Sequence, residues 1–207
     1  MTATPSEPPE PSRPSRPSKP DSDGAEERDA IRRTREVLAY RNRFVDVYDD
    51  EVTFPDGSNG HYLRIRHRGE GLGVVVLPVR DGAVGLVRTY RYPLGRLQWG
   101  LPRGFSHGAD PLVTARAELH EELGVPDAEF TLLGTMTPDS GLLADPVAVV
   151  HATVTTTPGT PLTPEEVTES HWLPLSDLPH WITTGRLDDA LTLAALTLAR
   201  THGLLPH

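Results

Sequence analysis

Two apolar runs on either side of an Asp-Gly pair constrain this chain more than any other feature. Leu72-Gly-Val-Val-Val-Leu-Pro-Val and Ala83-Val-Gly-Leu-Val-Arg-Thr-Tyr flank Asp81-Gly82. Runs rich in β-branched residues fit pleated, half-buried strands. A two-residue Asp-Gly loop closes such strands tightly, because Gly accepts the positive φ of a type I′ turn. A central β-hairpin is therefore expected, and the rest of the chain must bury its faces.

The neighbouring segments have the same texture. Val45 to Phe54 runs into Pro55-Asp56-Gly57, and His61 to His67 alternates apolar or aromatic residues with Arg. Val147 to Val154 reads as a buried strand and His171-Trp-Leu as a short one. A helix is expected from about Pro111 to Leu123. Asp110 can cap it, Pro111 suits its first position, and Gly124 suits the left-handed stop. Its core stripe is Leu112, Ala115, Leu119 and Leu123. A short helix opens at Ser176-Asp177 and ends near Gly185, and another runs from Asp188 to Thr201. Strands early, one helix in the middle and others at the end imply an α+β domain, a mixed sheet sandwiched by helices.

The 207 residues suffice for one domain plus an appendage. Residues 1–26 alternate Pro, Ser, Arg, Lys and Glu with almost nothing apolar, so disorder is expected there. Residues 27–43 read as a linker or an N-terminal helix, and residues 44–203 as the folded domain. The absence of cysteine excludes disulfides, thiolate metal sites and a cysteine nucleophile. No apolar stretch approaches the ~20 residues of a membrane span, and the first twenty residues lack the apolar run of a signal peptide. A cytoplasmic protein with no membrane partner is expected. The net charge of −9 argues against a nucleic-acid partner, which needs a basic footprint. It leaves room for a small phosphorylated ligand, neutralised locally by metal or arginine.

The chemistry concentrates on the mid-chain helix. Glu118, Glu121 and Glu122 stand at i, i+3 and i+4, one carboxylate face beside the core stripe. Like charges this close repel by a few tenths of a kcal/mol per pair, on the order of any helix-surface pair. The compensation such a face calls for is a hard divalent cation, Mg²⁺ or Mn²⁺, which prefers carboxylate oxygens and commonly bridges to phosphates. Taken alone, the triplet fits a solvated acidic face better than a metal site. Its surroundings favour the metal. A Pro/Gly loop, Trp99-Gly100-Leu101-Pro102-Arg103-Gly104-Phe105, leads into the helix, and Arg88-Thr89-Tyr90-Arg91-Tyr92-Pro93 ends the hairpin.

These residues resemble the Nudix hydrolase superfamily, whose signature is a Gly loop followed by a helix carrying Arg-Glu-apolar-any-Glu-Glu-any-Gly. Here the helical half reads Ala117-Glu118-Leu119-His120-Glu121-Glu122-Leu123-Gly124-Val125. The likeness spans roughly Phe44 to Ala199 and is strongest to the ADP-ribose pyrophosphatase branch. Asp49-Asp50-Glu51-Val52 with Phe54-Pro55-Asp56-Gly57 looks like that branch's opening strand, and Gly185 to Leu196 like its final helix. The resemblance implies an α/β/α sandwich that hydrolyses the pyrophosphate of a nucleoside-diphosphate-linked compound, such as ADP-ribose or a nucleotide sugar. It also implies a homodimer.

The implied roles fall on named residues. Glu118, Glu121 and Glu122 would hold Mg²⁺ or Mn²⁺, with the Arg103 carbonyl as a further oxygen ligand. The general base would come from the late acidic stretch Glu165, Glu166 and Glu169, with Glu166 taken as the candidate. Arg91 and Arg88 would meet phosphate, for which the guanidinium fork is suited, and Trp99 or Tyr90 would stack on a base. Three supports of the family pattern are missing. The helical Arg is Ala117, the loop Glu is replaced by Ala109 or Asp110 in a loop one residue short, and a Glu often found four residues before the loop Gly is Gly100. A binding domain with weakened catalysis is the alternative these losses raise.

Overall fold

The computed structural model describes residues 30–105, 108–163 and 165–206. The expectation of a disordered tail over residues 1–26 lies outside the described residues. The expectation of a linker or helix over residues 27–43 is corrected where described. Arg32–Arg35 (β1) and Leu38–Arg41 (β2) are strands, both antiparallel to Val45–Thr53 (β3). Their backbones complete the ladder of β3, and Val37 N–H donates to the buried carboxylate of Asp50, at 3.1 Å. Strands of four residues, exposed throughout, carry too short a pattern to reveal them in sequence.

β3 pairs with Asn59–His67 (β4) through nine register positions from Val45↔His67 to Thr53↔Asn59. The Pro55-Asp56-Gly57 turn closes this hairpin, with Gly57 at φ 84° and Asp56 accepting from Ser58 N. β1 to β4 form a four-stranded sheet of their own. The strand runs read in the sequence between Val45 and His67 therefore form part of a sheet separate from the central one. Ile65 joins it to the Leu142–Ala144 loop by two backbone hydrogen bonds.

The central sheet is built around the expected hairpin of Gly73–Arg80 (β5) and Ala83–Arg91 (β6). Asp81 (φ 50°) and Gly82 (φ 73°) take the left-handed pair that a type I′ turn requires. The two strands pair only at Val79↔Val84 and Arg80↔Ala83, then part. Into the fork goes one segment: Arg96–Gly100 (β7) pairs with β6, and Arg103–Gly104 (β8) pairs with β5. The Gly/Pro loop noted in the sequence is thus held between the two halves of the split hairpin.

Glu129–Met136 (β9), Val147–Thr153 (β10) and Val167–Pro174 (β11) complete a seven-stranded sheet with the path β11-β6-β5-β10-β9. The β10–β5 pairing is parallel and the others are antiparallel, so the sheet is mixed, as expected. Along β5, side chains alternate between two cores. Val74 and Val76 meet Ala115, Leu119 and Leu123 of the helix Pro111–Leu123 (α1). Val75 and Leu77 meet Leu178 and Trp181 of Leu178–Thr183 (α2), and Ala195, Leu196 and Ala199 of Ala190–Thr201 (α3). This is the α/β/α sandwich expected from the sequence.

Candidate active site

α1 begins and ends as its residues dictate. Asp110 accepts from Leu112 N at 2.8 Å, and Gly124 stops the helix at φ 64°. Because Ala115, Leu119 and Leu123 face the sheet, Glu118 and Glu122, one position before Leu119 and Leu123, lie on the edge of the buried face. Both are buried, at 8% and 6% exposure, so the solvated acidic face is not what forms. Their lid is the loop segment in the fork. Arg103 N–H donates to Glu122 Oε2 at 3.1 Å. Gly104 packs so closely on Glu118 that a Cβ there would overlap its carboxylate. A side chain at position 104 would force the Glu118 carboxylate to move.

The electrostatics are those of a crowded acidic pair. Burial first, and the Glu118 carboxylate second, push Glu122 up to about 8, while the Arg103 N–H and the Arg91 guanidinium act the other way. Glu166 adds to the upward push, so the late loop does bring a third carboxylate to this pair. The loop is anchored to α1: Leu162 N–H and the Thr163 hydroxyl both donate to the Glu121 carbonyl. Glu121 itself is half-buried and is not among the groups that raise Glu122. Of the three helical carboxylates singled out in the sequence, Glu118 and Glu122 are buried and Glu121 is half-buried. Glu118 and Glu122 are four apart and share the face under the loop. Among the described residues no group of three or more His, Asp or Glu side chains is placed to hold a metal.

Beside the pair opens a cleft of about 250 Å³ whose lining includes Arg91, Arg103, Gly104 and Phe105. A second hollow of about 330 Å³, with Arg43, Phe44 and Arg66, shares His67, Gly73 and Phe105 with it. The two guanidinium groups differ in state. Arg103 donates to both Asp189 oxygens, at 2.8 and 2.9 Å. Arg91 is lowered by burial and then by Arg103, and its buried Nε has no hydrogen-bond partner among the described residues. A desolvated cation aimed at a cleft is a ready anion site.

Comparison with known proteins agrees with this geometry. The family model of the NUDIX domain matches residues 68–196, more than half of the chain. The chain belongs to the NUDIX family. It is 27% identical over 154 residues to a CMP-5'-(N-acetyl-N-hydroxy-3-aminopropyl)phosphonate hydrolase of Streptomyces rubellomurinus, covering 73% of each chain. It is 27% identical over 153 residues to an ADP-ribose pyrophosphatase of Mycobacterium tuberculosis, covering 71% of this chain and 72% of that one. A solved structure described as an ADP compounds hydrolase superposes with a TM-score of 0.68 at 21% identity, over 83% of this chain and 92% of that chain. The likeness to that structure is one of fold.

Within this NUDIX domain the structure places the remaining expected residues unevenly. Arg91, Arg103, Glu118 and Glu122 come together, with the exposed Glu166 near enough to act on Glu122 through its charge. Arg88 and Trp99 do not line the cleft. Trp99 is buried against Trp181, ring centroids 5.6 Å apart, in the α3-side core. Arg88 binds Glu169 at 2.8 Å, which also removes Glu169 from the carboxylate pair. The reason is strand alternation: Val84 and Leu86 of β6 face the α3 side, so Arg88 follows them and Arg91 does not. Tyr90 is exposed. One participant went unnoticed in the sequence: Asp189, read there only as part of a helix start. Among the described residues, no helix is long and apolar enough to cross a membrane.

Proposed function

We propose that this NUDIX protein hydrolyses the pyrophosphate of a nucleoside-diphosphate-linked compound, with ADP-ribose or a nucleotide sugar as the first candidates, giving a nucleoside monophosphate and a sugar phosphate. The observation that carries the reading is the buried Glu118–Glu122 pair under the Arg103–Gly104 loop, next to a cleft that holds the desolvated Arg91. The two adjoining hollows, of about 250 and 330 Å³, share His67, Gly73 and Phe105 and together offer room for a small molecule. The relatives named for ADP-ribose and for a CMP-linked phosphonate support the same reaction type.

The donor set fits a hard divalent cation, Mg²⁺ or Mn²⁺. Two crowded, buried carboxylates supply anionic oxygens, and Glu122 is raised in a way that a nearby positive charge would reverse. Glu118 and Glu122 would hold it, with Glu121 and the Arg103 carbonyl as further oxygens. When bound, such an ion neutralises phosphate charge and acidifies water. The chain's own residues do the rest. Arg91 binds and orients a phosphate. Glu166, on the loop tied to α1, would take a proton from the attacking water. The buried loop and sheet exclude solvent from the carboxylates. Hydrolysis of this kind needs positioning and charge stabilisation, with no covalent intermediate.

The test is release of AMP from ADP-ribose with Mg²⁺, run beside other nucleoside-diphosphate sugars, a dinucleotide and a nucleoside triphosphate. Metal-dependent turnover of one of these supports the reading, and EDTA should abolish it. If the folded protein binds nucleotide but turns over none of them at any metal concentration, it is a binding domain and the reading fails. The homodimer implied by the resemblance is part of the proposal; sedimentation at micromolar concentration should give twice the chain mass.

A further inference from the structure

The first turn of α3 grips the loop that covers the carboxylate pair, and four observations describe the grip. Leu101 N–H donates to Thr192 Oγ1 at 2.9 Å. Thr192 Oγ1 donates to Asp189 Oδ2 at 2.6 Å, and Thr192 N–H caps on the same oxygen at 3.0 Å. Arg103 Nη1 reaches both oxygens of Asp189, which is itself 7% exposed. A Cβ on Gly100 would sit 3.3 Å from Asp189 Oδ2 and from Thr192 Oγ1, so Asp189 and Thr192 occupy the space next to the residue that opens the loop.

Arg103 is thereby held from three sides. Its backbone pairs with Val75 of β5, its N–H holds Glu122 of α1, and its guanidinium is tied to Asp189 at the start of α3. We infer that Asp189, with Thr192, is a positioning residue for the reaction: it fixes Arg103 so that the Arg103 N–H and the adjoining Gly104 keep Glu118 and Glu122 in place. The pair does from the α3 side what a loop-to-helix ion pair between positions 109 and 117 would do from the α1 side, where this chain has two alanines. It also neutralises Arg103, which leaves Arg91 as the guanidinium in the cleft that is open to an anion. A buried ion pair with two further hydrogen bonds has the geometry that makes such pairs hold, and removing one partner is strongly felt.

The inference rests on the hydrolase reading, so the experiment carries one readout that does not need activity. In Asp189→Asn the amide oxygen still caps Thr192 N–H, while the charge that ties Arg103 is gone. The expected result has two parts. Amide hydrogen exchange at Arg103 and Gly104 accelerates at least tenfold, with exchange in the β10 and α1 interior unchanged. On the substrate found above, kcat falls at least tenfold at saturating Mg²⁺ while KM moves less than threefold. Arg103→Gln, which leaves α3 untouched, should reproduce the exchange pattern, and Thr192→Ser should behave like the parent where Thr192→Val does not. Unchanged exchange and kcat in Asp189→Asn would overturn the inference, and so would a uniform rise in exchange over the whole domain, which marks a merely structural residue. If Asp189→Asn does not fold, Arg103→Gln decides by the same two readouts. A parent inert on every nucleotide defeats the hydrolase reading alone, because the exchange pattern is still measured.

Discussion

Glu122→Gln tests the electrostatic state of the site in the metal-free protein. The parent carboxyl is lifted from 4.5 to about 8 by burial and by Glu118. The folded state therefore binds a proton over a range where the unfolded chain has lost it, and stability falls as pH rises from about 4.5 to about 8, then levels off. At 1.36 kcal/mol per tenfold change in proton affinity, the ceiling is about 5 kcal/mol. Relaxation and water penetration raise the effective dielectric, so roughly 1–3 kcal/mol is the expected size. Gln is isosteric, keeps an oxygen for the Arg103 N–H and carries no charge. Metal-free Glu122→Gln should therefore match the parent near pH 4.5 and exceed it at pH 8.5. With about 2–4 °C per kcal/mol for a domain of this size, that is a Tm gain of roughly 3–10 °C. Adding Mg²⁺ should reverse the order, since an ion that binds only the folded parent stabilises it by about 2.7 kcal/mol at a hundred times Kd. Thermal melts at two pH values, with EDTA or Mg²⁺, measure all four states. Parallel pH and Mg²⁺ responses in parent and variant would refute the account of a buried Glu122 that holds a proton until a cation displaces it.

Three further changes follow from the cleft and the loop. Arg91→Gln should raise KM about 10–100-fold with a smaller change in kcat, the worth of roughly 1.5–3 kcal/mol for a charge-assisted phosphate contact; an unchanged KM would take Arg91 out of the substrate's path. Glu166→Gln should lower kcat by about 10²–10⁴ at constant KM if it serves as the base, and steady-state kinetics with near-parent kcat would transfer that role elsewhere. Gly104→Ala should lose most turnover and Mg²⁺ stabilisation while far-UV dichroism stays native, because the new Cβ displaces the Glu118 carboxylate.

What the sequence made legible was local or periodic. Asp81-Gly82, Asp110-Pro111 and Gly124 each fix a backbone conformation by themselves, and each sits where its chemistry requires. The stripe of Leu112, Ala115, Leu119 and Leu123 placed Glu118 and Glu122 beside the core, and the structure buries them there. What stayed hidden depended on partners far along the chain. β1 and β2 exist because β3 offers its edge, and β9 was obscured by Gly134, which stands at a register shift opposite Val149. Trp99 and Arg88 carry the residue types of a binding site, but strand phase turned one into the α3-side core and gave the other to Glu169. The phase could have been read from Val84 and Leu86 had the direction of the core been known. Asp189 is the clearest case. An N-cap aspartate is ordinary in sequence, and only the folded chain brings it to Arg103, 86 positions away.

The two alanines in the motif now carry a different meaning. Read in sequence, Ala109 and Ala117 raise the prospect of a domain that has lost its chemistry, since an ion pair that would support the loop is gone. Two crowded carboxylates in a low-dielectric setting are destabilising unless a cation or a substrate uses them. A chain drifting toward a passive scaffold would relieve that strain first, by neutralising Glu118 or Glu122 or by letting the Arg103–Gly104 loop move away. Here both carboxylates are buried, the loop is pressed on Glu118 so closely that a side chain at position 104 would displace its carboxylate, and an ion pair braces the loop from the opposite side. The strain is kept and the geometry around it is braced from α3 instead of α1, which favours the proposed hydrolase over a binding domain with weakened catalysis; the assay of nucleotide turnover decides between them.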